Sequence, residues 1–200
     1  LNLTEYGFTP DMMANNSTSI PARITAVHKE RYELVCERGE GYGRLKTKEY
    51  YAGFEEFPTT GDFVMVNYNE SADSQITATL PRRTFFSRRD PTPGRGEQAV
   101  AANFDYVFIM QSLNHDLNIR RLERYLTLAW QSGAVPVVIL TKADLTDDYS
   151  EQISLVEKTA AGAGVFPVSA KTRYGLDTLS DYLTRGKTVV FLACQSIDKT

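Results

Sequence analysis

The chain has 200 residues, 42% of them hydrophobic and 24% charged, with a formal net charge of −3 and two cysteines. That balance excludes a disordered tail, a disulfide-stapled fold and wholesale electrostatic attraction to nucleic acid, although a net figure hides local patches. No apolar run reaches the ~18 residues of a membrane helix and no basic stretch precedes an apolar one at the amino terminus, so we expect a cytoplasmic protein with no membrane partner.

Residues 1–20 mix Asn, Ser, Thr and Met without periodicity and read as a mobile arm with room for a short ordered piece. Five short runs follow, at 22–28, 32–37, 42–48, 62–68 and 75–80, punctuated by Gly39, Gly41, Gly43, Gly53, Pro58 and Gly61. Strands at this spacing predict a small OB-like β-barrel over residues 21–81. Such barrels often bind oligonucleotides, but a fold alone does not license a function. Tyr42, Tyr50, Tyr51, Phe54, Phe57 and Phe63 are expected mainly in the barrel core rather than stacked on bases.

Residues 82–97 read as a basic linker. Within it Arg82, Arg83, Arg88, Arg89 and Arg95 face Asp90, while Pro91, Pro93, Gly94 and Gly96 predict a segment without regular structure. Arg88, Arg89 and Arg95 are candidates for holding RNA phosphates, the alternative being a solvated linker.

From Asp105 the period changes. A buried strand at 106–110 precedes apolar positions at helical spacing, Ile119, Leu122, Leu126, Ala129 and Trp130, ending at Gly133. Next come a strand at 137–140 and a helix opening near Thr146 or Asp147 that stops at Gly162 and Gly164. A strand at 164–168, a helix over 176–184 and a strand at Val189 complete the series. This alternation predicts a mostly parallel α/β sheet over residues 98–200.

The strand at 137–140 delivers Thr141, Lys142 and Asp144 to the carboxyl edge of that sheet, where open α/β sheets bind ligands. An ionised Asp144 offers two acceptor oxygens side by side, matching the ring N1–H and exocyclic amino group of guanine; adenine has neither there. Lys142 would lie along the base, and Thr141 stands where nucleotide-binding proteins of this kind more often carry Asn. The bland alternative is a helix-opening loop, with Thr146 or Asp147 as the cap. A second loop, Ser169-Ala170-Lys171, follows the next strand, and its Ala170 N–H is suited to guanine O6. Together these motifs predict a guanine-nucleotide base pocket.

The order of the parts is unusual. A phosphate loop of the form G-x-x-x-x-G-K-[ST] normally precedes the base-reading motifs, yet the one stretch in register with it is Ala193-Cys194-Gln195-Ser196-Ile197-Asp198-Lys199-Thr200. Base motifs first, behind a β-rich amino-terminal segment, resemble the circularly permuted GTPases of small-ribosomal-subunit biogenesis, the RsgA or YjeQ family. Ala101-Ala102-Asn103-Phe104-Asp105, Ser112-Leu113-Asn114 and Arg120-Arg121-Leu122-Glu123-Arg124-Tyr125-Leu126 are also similar to that family's sequences. The resemblance implies an OB-like barrel followed by a partial, circularly permuted P-loop GTPase domain. It further implies a monomeric factor that binds and hydrolyses GTP during maturation of the small (30S) ribosomal subunit and contacts its rRNA. The expected cofactors are GTP or GDP and Mg²⁺, with Zn²⁺ only in a further carboxyl-terminal region. On the same basis Lys199 would neutralise the β- and γ-phosphates, and Thr200 would ligate Mg²⁺.

Two positions depart from the family pattern. Ala193 and Asp198 stand where glycines let backbone N–H groups converge on phosphate. A carboxylate at Asp198, ~4 Å from the polyphosphate, would cost about 4 kcal/mol at an effective dielectric near 20. We therefore expect a chain truncated at its phosphate loop, without hydrolysis on its own, and assign no catalytic residue. One rival is a non-enzymatic RNA-binding protein with a degenerate GTPase domain; another is an α/β enzyme using a different ligand at the same sheet edge. His28 and His115 are isolated, and no Ser-His-Asp or Cys-His set is evident.

Overall fold

The computed structural model describes residues 2–13, 18–29, 31–46, 57–89, 97–114 and 117–193. Contacts divide the chain into two units, Leu1–Phe104 and Asp105–Thr200.

In the first unit, β1 (Ile20–His28), β2 (Arg31–Cys36), β3 (Gly39–Leu45), β4 (Phe63–Asn67) and β5 (Ser74–Thr79) close a barrel in the order β1-β2-β3-β5-β4. The predicted barrel is present. Alternation along the strands sends Ile24, Leu34, Val64, Val66 and Ile76 into one buried cluster. Val35, Phe63 and Met65 point the other way, and there they meet Leu3, Phe8, Met12 and Leu80 in a second cluster. The arm read as mobile is thus, across residues 2–13, a cover. Two 3-10 helices, Leu3–Tyr6 and Pro10–Met12, bury Leu3 and Met12, and Phe8 between them is buried with its ring centre 5.4 Å from that of Phe63. Turns this short leave no helical period in the sequence.

The reading of residues 82–97 as structureless also needs correction. β6 (Phe85–Arg89) pairs antiparallel with β7 (Glu97–Ala102), Arg88 opposite Gln98 and Arg89 opposite Glu97. Residues 90–96, including Arg95, lie outside the described residues. Side chains and backbone anchor the hairpin's base. Thr84 Oγ1 donates to the Phe104 carbonyl (2.6 Å) and accepts from its N–H (2.8 Å), while the Ala102 N–H donates to Thr60 O (3.0 Å). Those bonds carry the first unit to Phe104, past the expected boundary at 97/98. Arg82 is not available to RNA: it forms a double hydrogen bond with the fully buried carboxylate of Asp62, at 2.9 and 2.8 Å. Of the aromatic residues expected in the core, Phe63 is fully buried, whereas Tyr42 and Phe57 are exposed. Tyr50, Tyr51 and Phe54 lie outside the described residues.

The second unit is a four-stranded parallel sheet in the order β10-β9-β8-β11, formed by β8 (Tyr106–Ser112), β9 (Val135–Thr141), β10 (Gly164–Pro167) and β11 (Val189–Ala193). Helix α1 (Ile119–Gln131) joins β8 to β9 and buries Leu122, Leu126 and Ala129; Asn118 caps it by accepting from the Arg121 N–H at 3.0 Å. Helix α2 (Ser150–Thr159) starts later than expected because Asp148, rather than Thr146 or Asp147, accepts from the Ser150 N–H at 2.9 Å. The helix predicted over 176–184 is instead a 3-10 helix, Leu176–Tyr182. Leu176, Leu179 and Tyr182 recur every third residue, which aligns them on one face in 3-10 geometry, and all three pack on the cluster around Phe108 and Val137.

Gly61 is the tightest point of the first unit. Its φ is +92°, and a Cβ there would lie 2.1 Å from the Ala102 carbonyl oxygen. Gly61→Ala should therefore lower the stability of this unit by about 2 kcal/mol or more, read as an earlier denaturant midpoint for the barrel's resonances.

Candidate nucleotide-base site

β9 and β10 are parallel neighbours with Leu140 opposite Pro167, so the segments that follow them leave the sheet at the same edge. Backbone bonds lace the two exits together, Val168 N–H to Leu140 O (2.8 Å) and Ala143 N–H to Val168 O (3.1 Å). After Thr141 the chain reverses through Lys142, which adopts φ 60° and ψ 36°, into a single 3-10 turn, Ala143–Leu145. Ala143 is buried and pins the turn, which leaves Asp144 exposed. Thr141 reaches the other way: its hydroxyl donates to Gln111 O (3.3 Å), and its carbonyl accepts from the Leu113 N–H (2.9 Å), tying the loop to β8.

The second loop is organised around Ser169, which is fully buried. Its hydroxyl donates to Asp144 Oδ1 at 2.6 Å and accepts from the Thr172 N–H at 3.1 Å. Its own N–H donates to Tyr174 O at 3.0 Å, closing a turn that ends at Gly175. Gly175 has φ +71°, and a Cβ there would sit 2.3 Å from the Pro167 carbonyl oxygen, so only glycine fits. Lys142 and Arg173 (φ 64°), one in each loop, hold left-handed conformations that cost a non-glycine residue roughly 1–2 kcal/mol. Strain of this kind gathers where surrounding structure fixes a site.

The Ser169 hydroxyl bond is the main reason the Asp144 carboxyl titrates below its usual range; partial desolvation opposes it, and the backbone N–H of Asp144 and the charge of Lys171 assist. Ala170 and Lys171 are exposed beside this carboxylate, and the Ala170 N–H has no partner among the described residues. The edge thus presents a fixed anion with acceptor lone pairs, an unengaged N–H and two flanking lysines.

Thr141, Lys142, Asp144, Ser169, Ala170 and Lys171 fall on the two loops that leave the sheet at this edge. Arg88 and Arg89 belong to the first unit, and Lys199 and Thr200 lie outside the described residues. Four contributors were not foreseen: the Ser169 hydroxyl as the positioner of Asp144, the Tyr174 carbonyl, Gly175 and Gln111. A glycine closing the polar stretch 169–175 was the available signal for a tight turn.

The family model of the RsgA GTPase matches residues 79–196. The chain belongs to the RsgA GTPase family. It is 39% identical over 203 residues to small ribosomal subunit biogenesis GTPase RsgA 2 of Listeria monocytogenes, a match that takes in all of this chain and 57% of that protein. RsgA of Methanosarcina acetivorans is 41% identical over 144 residues, 72% of this chain and 39% of its own length. The chain thus spans little more than half the length of the Listeria relative and a smaller share of the Methanosarcina one. Among solved structures, YjeQ from Thermotoga maritima superimposes with a TM-score of 0.72 at 20% identity, covering 90% of this chain and 62% of that one. YloQ, described as a circularly permuted GTPase, gives 0.65 at 18% identity, over 92% and 64% respectively. At these identities the structural likeness establishes the shared fold.

Ser169→Ala removes the chief cause of the low Asp144 pKa. The depressed value means that ionised Asp144 favours the folded state above the ordinary carboxylate range of ~3.9, an advantage lost as pH falls through the depressed pKa. In the variant the Asp144 carboxyl carbon should titrate at a higher pH by NMR, and the acid edge of stability should move up with it. An unshifted titration would detach the hydroxyl from Asp144.

Proposed function

We propose that this chain is the guanine-reading portion of a GTP hydrolase acting in small (30S) ribosomal subunit maturation, a cytoplasmic monomer that uses GTP or GDP and Mg²⁺. Family membership supports the reaction class. The observation that carries the base pocket is the 2.6 Å bond from the Ser169 hydroxyl to Asp144 Oδ1. It fixes the carboxylate from behind, so that acceptor lone pairs face outward for the N1–H and amino group of guanine. The Ala170 N–H donates to O6, the Lys142 stem lies along the ring, and Thr141 and Lys171 hold the loops and the local charge.

Residues 193–200 support the phosphate half only partly. Lys199 suits the β- and γ-phosphates and Thr200 suits Mg²⁺, but Ala193 and Asp198 do not fit a glycine cradle. No hydrolytic step is assigned to these 200 residues alone, and zinc is proposed only for sequence beyond them. The same departure favours a second reading, a non-enzymatic RNA-binding protein with a degenerate GTPase domain. Both readings use the basic hairpin. Arg88 is exposed and, among the described residues, donates to the neutral Gln98 Oε1 alone (3.2 and 3.1 Å), which leaves its charge for a phosphate. Arg89 and Arg95 are the further candidates that the sequence places next to it.

Asp144→Asn keeps the shape but turns one acceptor into a donor, mismatching the amino group of guanine and suiting the carbonyl of xanthine. In titrations of the intact protein with labelled GTP and XTP, GTP affinity should fall about 100-fold or more while XTP affinity rises. Unchanged GTP affinity would remove Asp144 from the pocket. Separately, Arg88→Ala, Arg89→Ala and Arg95→Ala combined should weaken small-subunit binding and flatten its log–log salt dependence by roughly 2. The same slope in parent and variant would return the hairpin to a solvated role.

A further inference from the structure

We infer that the outer face of β2 and β3 is a docking trough for an arginine-bearing segment of a protein partner, independent of the nucleotide reading and distinct from the basic hairpin. A cavity of about 380 Å³ opens there, and its lining includes Tyr6, Thr25, Glu33, Val35, Glu40 and Tyr42. Pockets of about 300–1,000 Å³ suit a small ligand, so this one accommodates a side chain together with its flanking backbone.

Strand register builds the trough. Glu33 lies opposite Tyr42 and Val35 opposite Glu40, so all four side chains share the face turned away from buried Leu34, with directly paired Cβ atoms roughly 4.5–5.5 Å apart. Val35, 1% exposed, is the apolar floor. Thr25 falls where the β1–β2 register shifts between Ile24 and Ala26, and Tyr6 arrives from the amino-terminal 3-10 helix as the far wall.

The lining selects the occupant. Two carboxylates, two phenol rings and an apolar floor suit a delocalised cation on an apolar stem, which describes arginine. Glu33 commits Oε1 to His28 at 2.9 Å, and Glu40 engages no partner among the described residues. Tyr42 already shows its capacity for guanidinium, because the Arg31 head stacks 3.7 Å from the ring centroid. A phosphate is disfavoured. Of the cations beside the trough, Arg31 and Arg44 are each bonded to the Asp73 carboxylate at 2.7 Å and Arg23 donates to the Tyr6 carbonyl, so these three are already committed, while Glu33 and Glu40 bring carboxylates to the lining.

The test uses the 200-residue chain and NMR titration with the blocked peptide acetyl-Gly-Arg-Gly-Arg-Gly-amide, its citrulline counterpart and a uridine decanucleotide. The arginine peptide should shift the resonances of Glu33, Glu40 and Tyr42 with saturation, while the neutral citrulline peptide leaves them in place. Glu33→Gln with Glu40→Gln should raise the peptide Kd about tenfold through loss of two charged acceptors. The charge-matched pair Asp177→Asn with Asp181→Asn, on the other unit, should leave it unchanged; undisturbed resonances of the barrel core establish that each variant is folded. Equal weakening by both pairs, shifts that avoid the trough, or displacement of the peptide from Tyr42 by the oligonucleotide would each overturn the assignment.

Discussion

One short hydrogen bond, from a serine that water never reaches to a carboxylate that it does, gives the second unit its usable edge. Ser169 is fully buried, and its hydroxyl is committed on both sides, to Asp144 Oδ1 and to the Thr172 N–H. A donor held this firmly behind an exposed acceptor makes the acceptor a fixed direction rather than a mobile charge. The bond in turn requires the parallel register of β9 and β10, without which positions 144 and 169 would not share an edge. It also requires Gly175, without which the turn around Ser169 would collide with Pro167.

Arginine plays opposite parts in the first unit, and position in sequence does not separate them. Arg82 pairs with buried Asp62, and Arg23 donates to the Tyr6 and Asn103 carbonyls beside the Phe63 ring. Removing one member of a buried pair leaves an uncompensated charge and commonly costs about 3–5 kcal/mol, so these side chains are fixed by the fold. Arg88, six positions after Arg82, is exposed and, among the described residues, has a neutral amide alone for company. A count of basic residues over 82–97 therefore overstates the charge available to a partner.

Much of this was legible in the sequence. Period-two runs marked the five barrel strands, and β-branched stretches at 106–110 and 137–140 marked strands buried on both faces. The motif residues Thr141, Lys142, Asp144 and Ser169 fell together because a parallel sheet puts successive strand ends on one side. What escaped lacks a periodic signal. Leu3, Phe8 and Met12 contribute one side chain each from turns, and the prolines and glycines at 91–96 masked strand-forming residues on both flanks. The third-residue spacing of Leu176, Leu179 and Tyr182 reads equally well as α or 3-10. The helix start at Ser150 depended on which of several adjacent acids, Asp147 or Asp148, bends back to the backbone.

Asp105 opens the second unit, yet its carboxylate is held from the far end. Its carboxylate accepts from the Thr188 N–H (2.9 Å) and from Lys187 Nζ (3.0 Å), and its own N–H returns a bond to Thr188 O (2.8 Å), across 83 positions of chain. β11 thus docks on β8, the first of the described strands of its sheet, after β9 and β10 have been made. During synthesis the flank of β8 that will receive β11 remains an unpaired edge, its backbone donors and acceptors open to any passing strand. Contacts this distant also slow folding, because loop closure must precede the reward of pairing. The newborn chain is consequently most prone to mispairing between the emergence of Ser112 and that of Ala193, an interval in which a holding chaperone would matter most.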